Sequence, residues 1–157
     1  MDDNQSPTGL GGPERRGYRM SHQTMAPSPQ ERDELLRCFS KALFKRDLDA
    51  LYAVVTDDFV WKFHDGLTVA TLLSDRDAIG RHIASQRETF AAQRFEDITY
   101  IHTPDITFMT FRVEETESAT GKSRTQQGVE LYRFRDRKIA MKDVYRKPLA
   151  VEIKSSS

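Results

Sequence analysis

The residues best suited to chemistry lie near the C-terminal end, on two neighbouring segments with alternating character. Alternation places Glu130 and Tyr132 on one face of the first segment, and Lys142, Val144 and Arg146 on one face of the second. If these two faces meet, a carboxylate beside two cations would suit ligand binding better than proton donation. Lys142 and Arg146 would bind a carboxylate, phosphate or enolate group. Ordinary cross-strand ion pairs on a solvated sheet face would give the same pattern.

Histidines supply the second set of candidates. His64 stands beside Asp65 where an aromatic segment meets a loop, and such a pair can act as general base and orienting acid. The side chains of neighbouring residues in a strand point to opposite sides, so His64 and Asp65 can cooperate only if the strand bends between them. Glu130 and His64 are therefore the catalytic acid/base candidates, whereas His82 and His102 fit structural roles. No HxH, HxxxH or CxxC spacing is present, so we expect no metal site, and no cofactor is needed.

Aromatic side chains line one face of the segment that precedes His64. Phe59, Trp61 and Phe63 alternate with other residues, so they share a face of a strand. Plain core packing explains this pattern, because aromatics supply much of the burial in small domains. The alternative is an apolar wall that contacts a planar ligand.

The elements that must position these residues follow an order typical of an α+β domain. Ser28-Pro29-Gln30-Glu31 predicts a capped helix start, and Asp47 predicts the cap of a short second helix. A third helix is expected to begin after Ser74 or Asp75 and to end near Gln93. No helical pattern interrupts the four β segments that follow, which favours an antiparallel meander. The predicted spans are 29–46 for the first helix and 59–64, 94–102, 106–116, 124–134 and 139–146 for the strands.

Composition limits the class of protein. The chain has 157 residues with 24 basic and 24 acidic side chains, which suits one domain and argues against nucleic-acid binding. No apolar run is long enough to span a membrane, and the N-terminus lacks a secretory apolar region, so we expect a cytoplasmic protein. The expected organisation is a disordered leader over 1–27, one domain over 28–147 and a flexible tail over 148–157.

Two stretches resemble a known superfamily. The run ALFKRDLDALYAVVTDDFVWKFHDG and the closing run GVELYRFRDRKIAMKDVYRK are similar to the NTF2-like superfamily, which includes ketosteroid isomerases and SnoaL-type polyketide cyclases. The resemblance implies an α+β, cystatin-like cone: about three N-terminal helices pack on a strongly bent, mostly antiparallel sheet around an internal pocket. Function varies widely on this fold.

The same resemblance bears on individual residues. The position of the ketosteroid isomerase general base falls on Phe63 and that of its oxyanion tyrosine on Phe39, so steroid isomerisation by that mechanism is excluded. Arg146 stands where the limonene-epoxide hydrolase branch carries an acid, which argues against that reaction. With the expected register, Arg112 would join Glu130 in the cavity. The ligand-binding residues implied in this way are Phe39, Trp61, Phe63, Arg112, Tyr132, Lys142, Val144 and Arg146.

Two functions remain open from the sequence. The first is a small-molecule-binding, SnoaL-like protein with a hydrophobic pocket, which could be a cofactor-free isomerase or cyclase acting on a hydrophobic ligand with a carbonyl or anionic end. The second is a non-catalytic dimeric association module with a vestigial cavity, in which two copies meet through the sheet. Nucleic-acid and membrane partners are not expected. An apolar patch for the dimer would be formed by Phe111, Val113, Leu131 and Met141.

Overall fold

The structure is a computed structural model that describes residues 26–64 and 70–149. Nearly all of the predicted leader and tail, and Asp65 with its loop, lie outside these described residues. The described chain contains three helices, α1 (Pro29–Lys45), α2 (Leu48–Val54) and α3 (Arg76–Thr89). Its strands are β1 (Val55–His64), β2 (Thr71–Leu73), β3 (Phe90–His102), β4 (Ile106–Glu117), β5 (Ser123–Arg135) and β6 (Lys138–Pro148).

The boundaries of the first two helices follow from local signals. The Glu31 backbone N–H donates to Oγ of Ser28, and the Ser28 N–H donates to the Glu31 carboxylate at 2.8 Å, so the predicted capping box is confirmed. Arg46 adopts the left-handed conformation that ends α1. Asp47 then accepts a hydrogen bond from the Ala50 N–H at 2.9 Å and caps α2, as predicted. A sharp reversal therefore separates two helices that follow each other closely.

All six strands form one mixed sheet in the order β2-β1-β6-β5-β4-β3. The predicted antiparallel meander from β3 to β6 is confirmed. Strand β1 extends the sheet by pairing parallel with β6. The sequence prediction missed β2, which pairs antiparallel with β1. It also began the first strand at Phe59, whereas β1 begins at Val55 and includes Thr56-Asp57-Asp58, where its register with β6 shifts.

The start of β3 also differs from the prediction. Helix α3 ends at Thr89, so Phe90 already belongs to the strand, whereas the prediction extended the helix to Gln93. Apolar residues at helical spacing supported the longer helix. The backbone becomes extended at Phe90 because the residues that follow pair with β4.

The register of the sheet divides its side chains between two faces. On the inner face, which packs against α1, Trp61 lies beside Lys142 and Lys142 beside Tyr132, across β1, β6 and β5. In the next row Glu130 lies between Val144 and Met109. The rings of Phe39 on α1 and Tyr132 meet edge to face, with centroids 6.2 Å apart. The buried core also contains Leu36, Leu51, Val55, Phe59, Ile79, Phe111, Val113 and Ile139.

Arg32 attaches α1 to the turn between β3 and β4. This arginine is buried, and its guanidinium donates to the carbonyl oxygens of Pro27, Thr103 and Pro104 at 2.8, 2.7 and 2.6 Å. These charge-assisted bonds hold the start of the helix against one end of the sheet. None of the helices described by the structure is long and apolar enough to cross a membrane.

Candidate functional site

An ion pair between Lys142 and Glu130 lies at the centre of the inner face. Nζ of Lys142 is 3.0 Å from Oε2 of Glu130, and the two side chains are only 7% and 3% exposed. The Tyr132 hydroxyl donates to the same carboxylate oxygen. The ammonium also lies 4.7 Å from the ring centroid of Trp61 and 5.4 Å from that of Phe39. These five residues form what we call the buried amine cluster.

Burial changes the proton affinities in this cluster. The pKa of Lys142 is lowered because burial penalises the charged ammonium, and the neighbouring Glu130 carboxylate opposes this effect only in part. The pKa of the Tyr132 hydroxyl is raised well above its ordinary value by burial and by the same carboxylate. Aromatic faces attract the cation, which offsets part of its lost hydration. The cluster therefore holds an amine that gives up its proton more readily than an exposed lysine.

His82 reaches the same region from α3. Its imidazole stacks on the ring of Phe63 at a centroid distance of 4.8 Å and meets the ring of Trp61 edge to face at 5.1 Å. The pKa of His82 is lowered by burial first and then by the positive charges of Lys142 and Arg146. The ring is therefore neutral near pH 7 and can accept a proton.

A second buried carboxylate, Glu115 on β4, holds Arg146. Nη1 of Arg146 is 2.7 Å from Oε1 of Glu115, which is fully buried. Arg124 and Gln93 also donate to Glu115, at 2.9 and 2.8 Å. The guanidinium carbon of Arg146 lies 5.6 Å from the centroid of the Phe111 ring. This second cluster fixes the position of Arg146 on the inner face, one row beyond Val144 and Glu130.

A glycine leaves room for the ring beside Arg146. Gly128 pairs with Phe111 on β4 and with Arg146 on β6. A Cβ atom at Gly128 would lie only 2.7 Å from Cε1 of the Phe111 ring and closer still to Cζ. The ring therefore covers the glycine backbone, and any larger residue there would displace it.

Most of the predicted site residues meet on the inner face. The structure brings together Glu130, Lys142, Arg146 and the rings around them. Phe39 of α1 packs against this face. The sequence-predicted residues on the face itself are Trp61, Phe63, Glu130, Tyr132, Lys142, Val144 and Arg146.

Strand parity puts two of the predicted site residues on the outer face, and for Arg112 this contradicts the predicted placement in the cavity. Met109 pairs with Glu130, so the inner face of β4 carries its odd-numbered residues and Arg112 lies on the outer face. There Arg112 forms ion pairs with Glu96 and Asp97 on β3. His64 also lies on the outer face, because its neighbour Phe63 points inward.

On the outer face His64 lies near residues of β6. Its ring stacks on Tyr145 at a centroid distance of 4.5 Å, and its Nε2 atom is 3.4 Å from Oδ1 of the buried Asp143. Neither of these two atoms has a hydrogen-bond partner within the described part of the chain. His64 is thus separated from Glu130 by the sheet.

The predicted apolar patch for dimerisation is also divided between the faces. Phe111 and Val113 are buried on the inner face, whereas Leu131 and Met141 lie on the outer face and are half-buried. The four residues therefore cannot form one surface. Strand alternation separates them, because Leu131 pairs with Phe108 and not with Phe111.

Sequence reasoning missed His82 and Glu115. His82 lies three residues after the buried Ile79, so helical spacing already indicated that it points inward. Glu115 continues the alternating series of Phe111 and Val113 on β4. Both signals were present in the sequence, but each residue is polar on a face that is otherwise apolar. Neither was therefore assigned to the site.

Two further observations limit the kind of site. A shallow groove of about 370 Å³ lies apart from the buried amine cluster, at the start of α1. It is lined by Pro27, Gln30, Glu31, Glu34, Leu35 and Arg137. The described residues contain no group of three or more histidine, cysteine or acidic side chains arranged to hold a metal ion.

Comparison with known proteins agrees with this architecture. The SnoaL-like domain model matches residues 36–141. No curated protein sequence matches the chain at a significant level. The match includes α2, α3 and most of the sheet, and therefore contains most of the residues of both buried clusters.

Solved structures with the same fold have low sequence identity to this chain. An NTF2-like protein from Burkholderia xenovorans is 16% identical, with a TM-score of 0.66 over 76% of this chain and 92% of its own. A protein provisionally assigned as a polyketide cyclase from Xanthomonas campestris is 17% identical, with a TM-score of 0.62 over 74% and 90%. TerC, co-crystallised with polyporic acid, is 16% identical, with a TM-score of 0.62 over 73% and 89%. The expected α+β, NTF2-like cone is confirmed.

Proposed function

The chain belongs to the SnoaL-like domain family, and from this premise we propose that it binds a hydrophobic small molecule with a carbonyl or anionic end on the inner face of its sheet. The observation that carries the proposal is the buried amine cluster, in which Lys142 and Glu130 lie among aromatic rings. A buried ion pair costs several kcal/mol in lost hydration and often stabilises a fold no better than apolar residues would. The presence of this buried ion pair therefore favours a role in ligand recognition.

The side chains around the cluster suit both parts of such a ligand. Trp61, Phe63 and Phe111 line the inner face with aromatic rings, which suits the planar body of a ligand. Lys142 and Arg146 supply positive charge for a carboxylate, a carbonyl oxygen or an enolate. Because Glu115 holds the Arg146 guanidinium in place, little conformational entropy is lost when a ligand binds it.

The same residues support a cofactor-free reaction of the isomerase or cyclase type. His82, neutral near pH 7, is a general base candidate on the inner side of the sheet, where its ring contacts Trp61 and Phe63. Glu130 is the second acid/base candidate, and Lys142 and Arg146 would stabilise an enolate. Solved neighbours that include TerC with polyporic acid and a provisional polyketide cyclase support this class of ligand.

Thermal melting with matched ligands tests the proposal. Naphthoate and its neutral amide, naphthamide, have the same ring system and differ in charge. We expect naphthoate to raise the melting temperature more than naphthamide, because binding to the folded state stabilises it by mass action. Arg146→Gln should reduce the effect of naphthoate, since it removes a cation from the inner face.

Arg112→Gln is the matched control, because Arg112 lies on the outer face in ion pairs with β3. It should leave the response to naphthoate unchanged. An equal response to naphthoate in both arginine variants, or none in the wild type, would argue against an anionic ligand on the inner face.

A second candidate function, dimeric association, is favoured by the outer face. Val129 and Tyr145 are 38% and 45% exposed there, on the neighbouring strands β5 and β6, and Ile101 on β3 is 51% exposed. An exposed apolar sheet face of this kind fits a second copy of the chain. Val129→Glu should then shift the protein to monomers in sedimentation, whereas Phe44→Glu on α1, 88% exposed, should not. A wild-type protein that is monomeric at high concentration would eliminate this candidate.

A further inference from the structure

We propose that Lys142 is a nucleophilic amine that forms an imine with the carbonyl group of the ligand. The inference rests on the proposed function, because it assigns the carbonyl-bearing members of that ligand class to a covalent mechanism. It is carried by the geometry of the buried amine cluster. Among the lysines that the structure describes, Lys142 is the buried one, with Nζ next to a carboxylate and under the face of an indole ring.

An amine attacks a carbonyl only in its neutral form, and the surroundings of Lys142 favour that form. Burial lowers the pKa of the ammonium, as it does for the activated lysines of Schiff-base chemistry in general. Each unit by which the pKa of an ammonium group is lowered raises the fraction of neutral amine near pH 7 about tenfold. The described lysines outside the cluster are exposed or half-buried.

Glu130 is placed to move the protons of this reaction. Its Oε2 atom lies 3.0 Å from Nζ of Lys142 and can take the proton that leaves the ammonium. The amine nitrogen then bonds to the carbonyl carbon as the C=O π bond breaks. A proton passes from that nitrogen to the carbonyl oxygen, which becomes the hydroxyl of a carbinolamine. Glu130 returns its proton to that hydroxyl, which leaves as water when the C=N bond forms. The balance is one carbonyl and one amine consumed, and one imine and one water formed.

The product suits the same surroundings. A protonated imine carries a positive charge where the ammonium was, between the carboxylate of Glu130 and the rings of Trp61 and Phe39. It also withdraws electrons from the adjacent carbon, so a proton there becomes easier to remove. His82, whose ring contacts Trp61, is the base available for that step. An imine therefore provides a route to isomerisation or cyclisation without a cofactor.

Acetylacetone is the probe that tests this assignment. The diketone condenses with a neutral amine and gives an enaminone, which absorbs in the near ultraviolet and can be located by mass spectrometry of peptides. We expect a single adduct, on the peptide that contains Lys142, in the wild-type protein at neutral pH. Lys147→Arg, an exposed lysine on the same strand, is the matched control and should form the adduct at the wild-type rate.

Two variants should abolish the adduct. Lys142→Arg keeps a cation in the cluster and cannot form an imine. Lys142→Met with Glu130→Gln removes both buried charges together, so that no unpaired carboxylate remains to disturb folding. Loss of the adduct in whichever of these folds supports the proposal. An adduct that persists in either variant, or a wild-type protein that forms none at Lys142, overturns it.

The naphthoate experiment separates this proposal from the one on which it rests. If naphthoate stabilises the wild-type protein and acetylacetone leaves Lys142 unmodified, ligand binding stands and imine formation is overturned. If acetylacetone modifies Lys142 and naphthoate has no effect, the amine chemistry stands and the anionic ligand class is overturned.

Discussion

The imidazole of His82 on α3 stacks on the ring of Phe63 on β1, with their planes inclined by 21°. This contact joins the helix to the aromatic strand at the buried amine cluster. It also places a titratable ring where burial and two cations lower its pKa, and so makes the site sensitive to pH.

We expect the protein to lose stability as the pH falls below the ordinary histidine value of about 6.5. The folded-state pKa of His82 is lowered, so the unfolded chain binds the proton first on acidification. The stabilising contribution is thus present above that value and is lost as the pH falls toward the folded-state pKa. Urea unfolding in a series of buffers gives the free energy of unfolding at each pH. Below about pH 6.5, His82→Gln should reduce the slope of this free energy against pH. An unchanged slope in the variant would contradict the lowered pKa.

The ion pair of Lys142 and Glu130 should show strong coupling in a double-mutant cycle. Lys142→Met alone leaves a buried carboxylate unpaired and should destabilise the protein by about 3–5 kcal/mol. Glu130→Gln in the same background removes that charge and should recover much of the loss. Denaturant unfolding of the wild type, both single variants and the double variant gives the coupling energy. Additive effects would mean that the two side chains do not interact in solution.

Gly128 should be intolerant of a side chain. Gly128→Ala places a methyl group against the Phe111 ring, and such overpacking costs about 1–3 kcal/mol. Phe111→Leu in the same protein makes room, so the double variant should be more stable than the sum of the single changes predicts. Gly121→Ala is a useful comparison, because its neighbourhood is open and its cost comes from a positive φ of 66° instead.

Trp61 is the single tryptophan of the chain and a test of what the aromatic strand does. Trp61→Ala should destabilise the protein by about 3–5 kcal/mol, because the side chain is buried against Phe39, His82 and Lys142. Trp61→Phe keeps an aromatic face toward the ammonium and should cost less. Circular dichroism measures the stability of both variants, because neither retains tryptophan fluorescence. Stability close to wild type in Trp61→Ala, with weaker binding of naphthoate, would show that the residue serves as a pocket wall.

The sequence by itself determined the local features of this protein. The Ser28 box set the start of α1, and Asp47 set the start of α2, because caps are made by residues close in the chain. Strict alternation placed Glu130 with Tyr132 and Lys142 with Arg146. The same rule already assigned His64 to the face opposite Phe63, and helical spacing assigned His82 to the face of Ile79.

Only the tertiary structure decided how the separate segments align. Arg112 could not be assigned to a face, because this depends on which residue of β4 pairs with Glu130, and a shift of one residue exchanges the faces. The parallel pairing of β1 with β6 joins residues about 80 positions apart and brings Trp61 beside Lys142. Capping and alternation act between neighbours in the chain and can be read from it. Register and long-range pairing depend on the packing of the whole sheet, and they create the buried amine cluster.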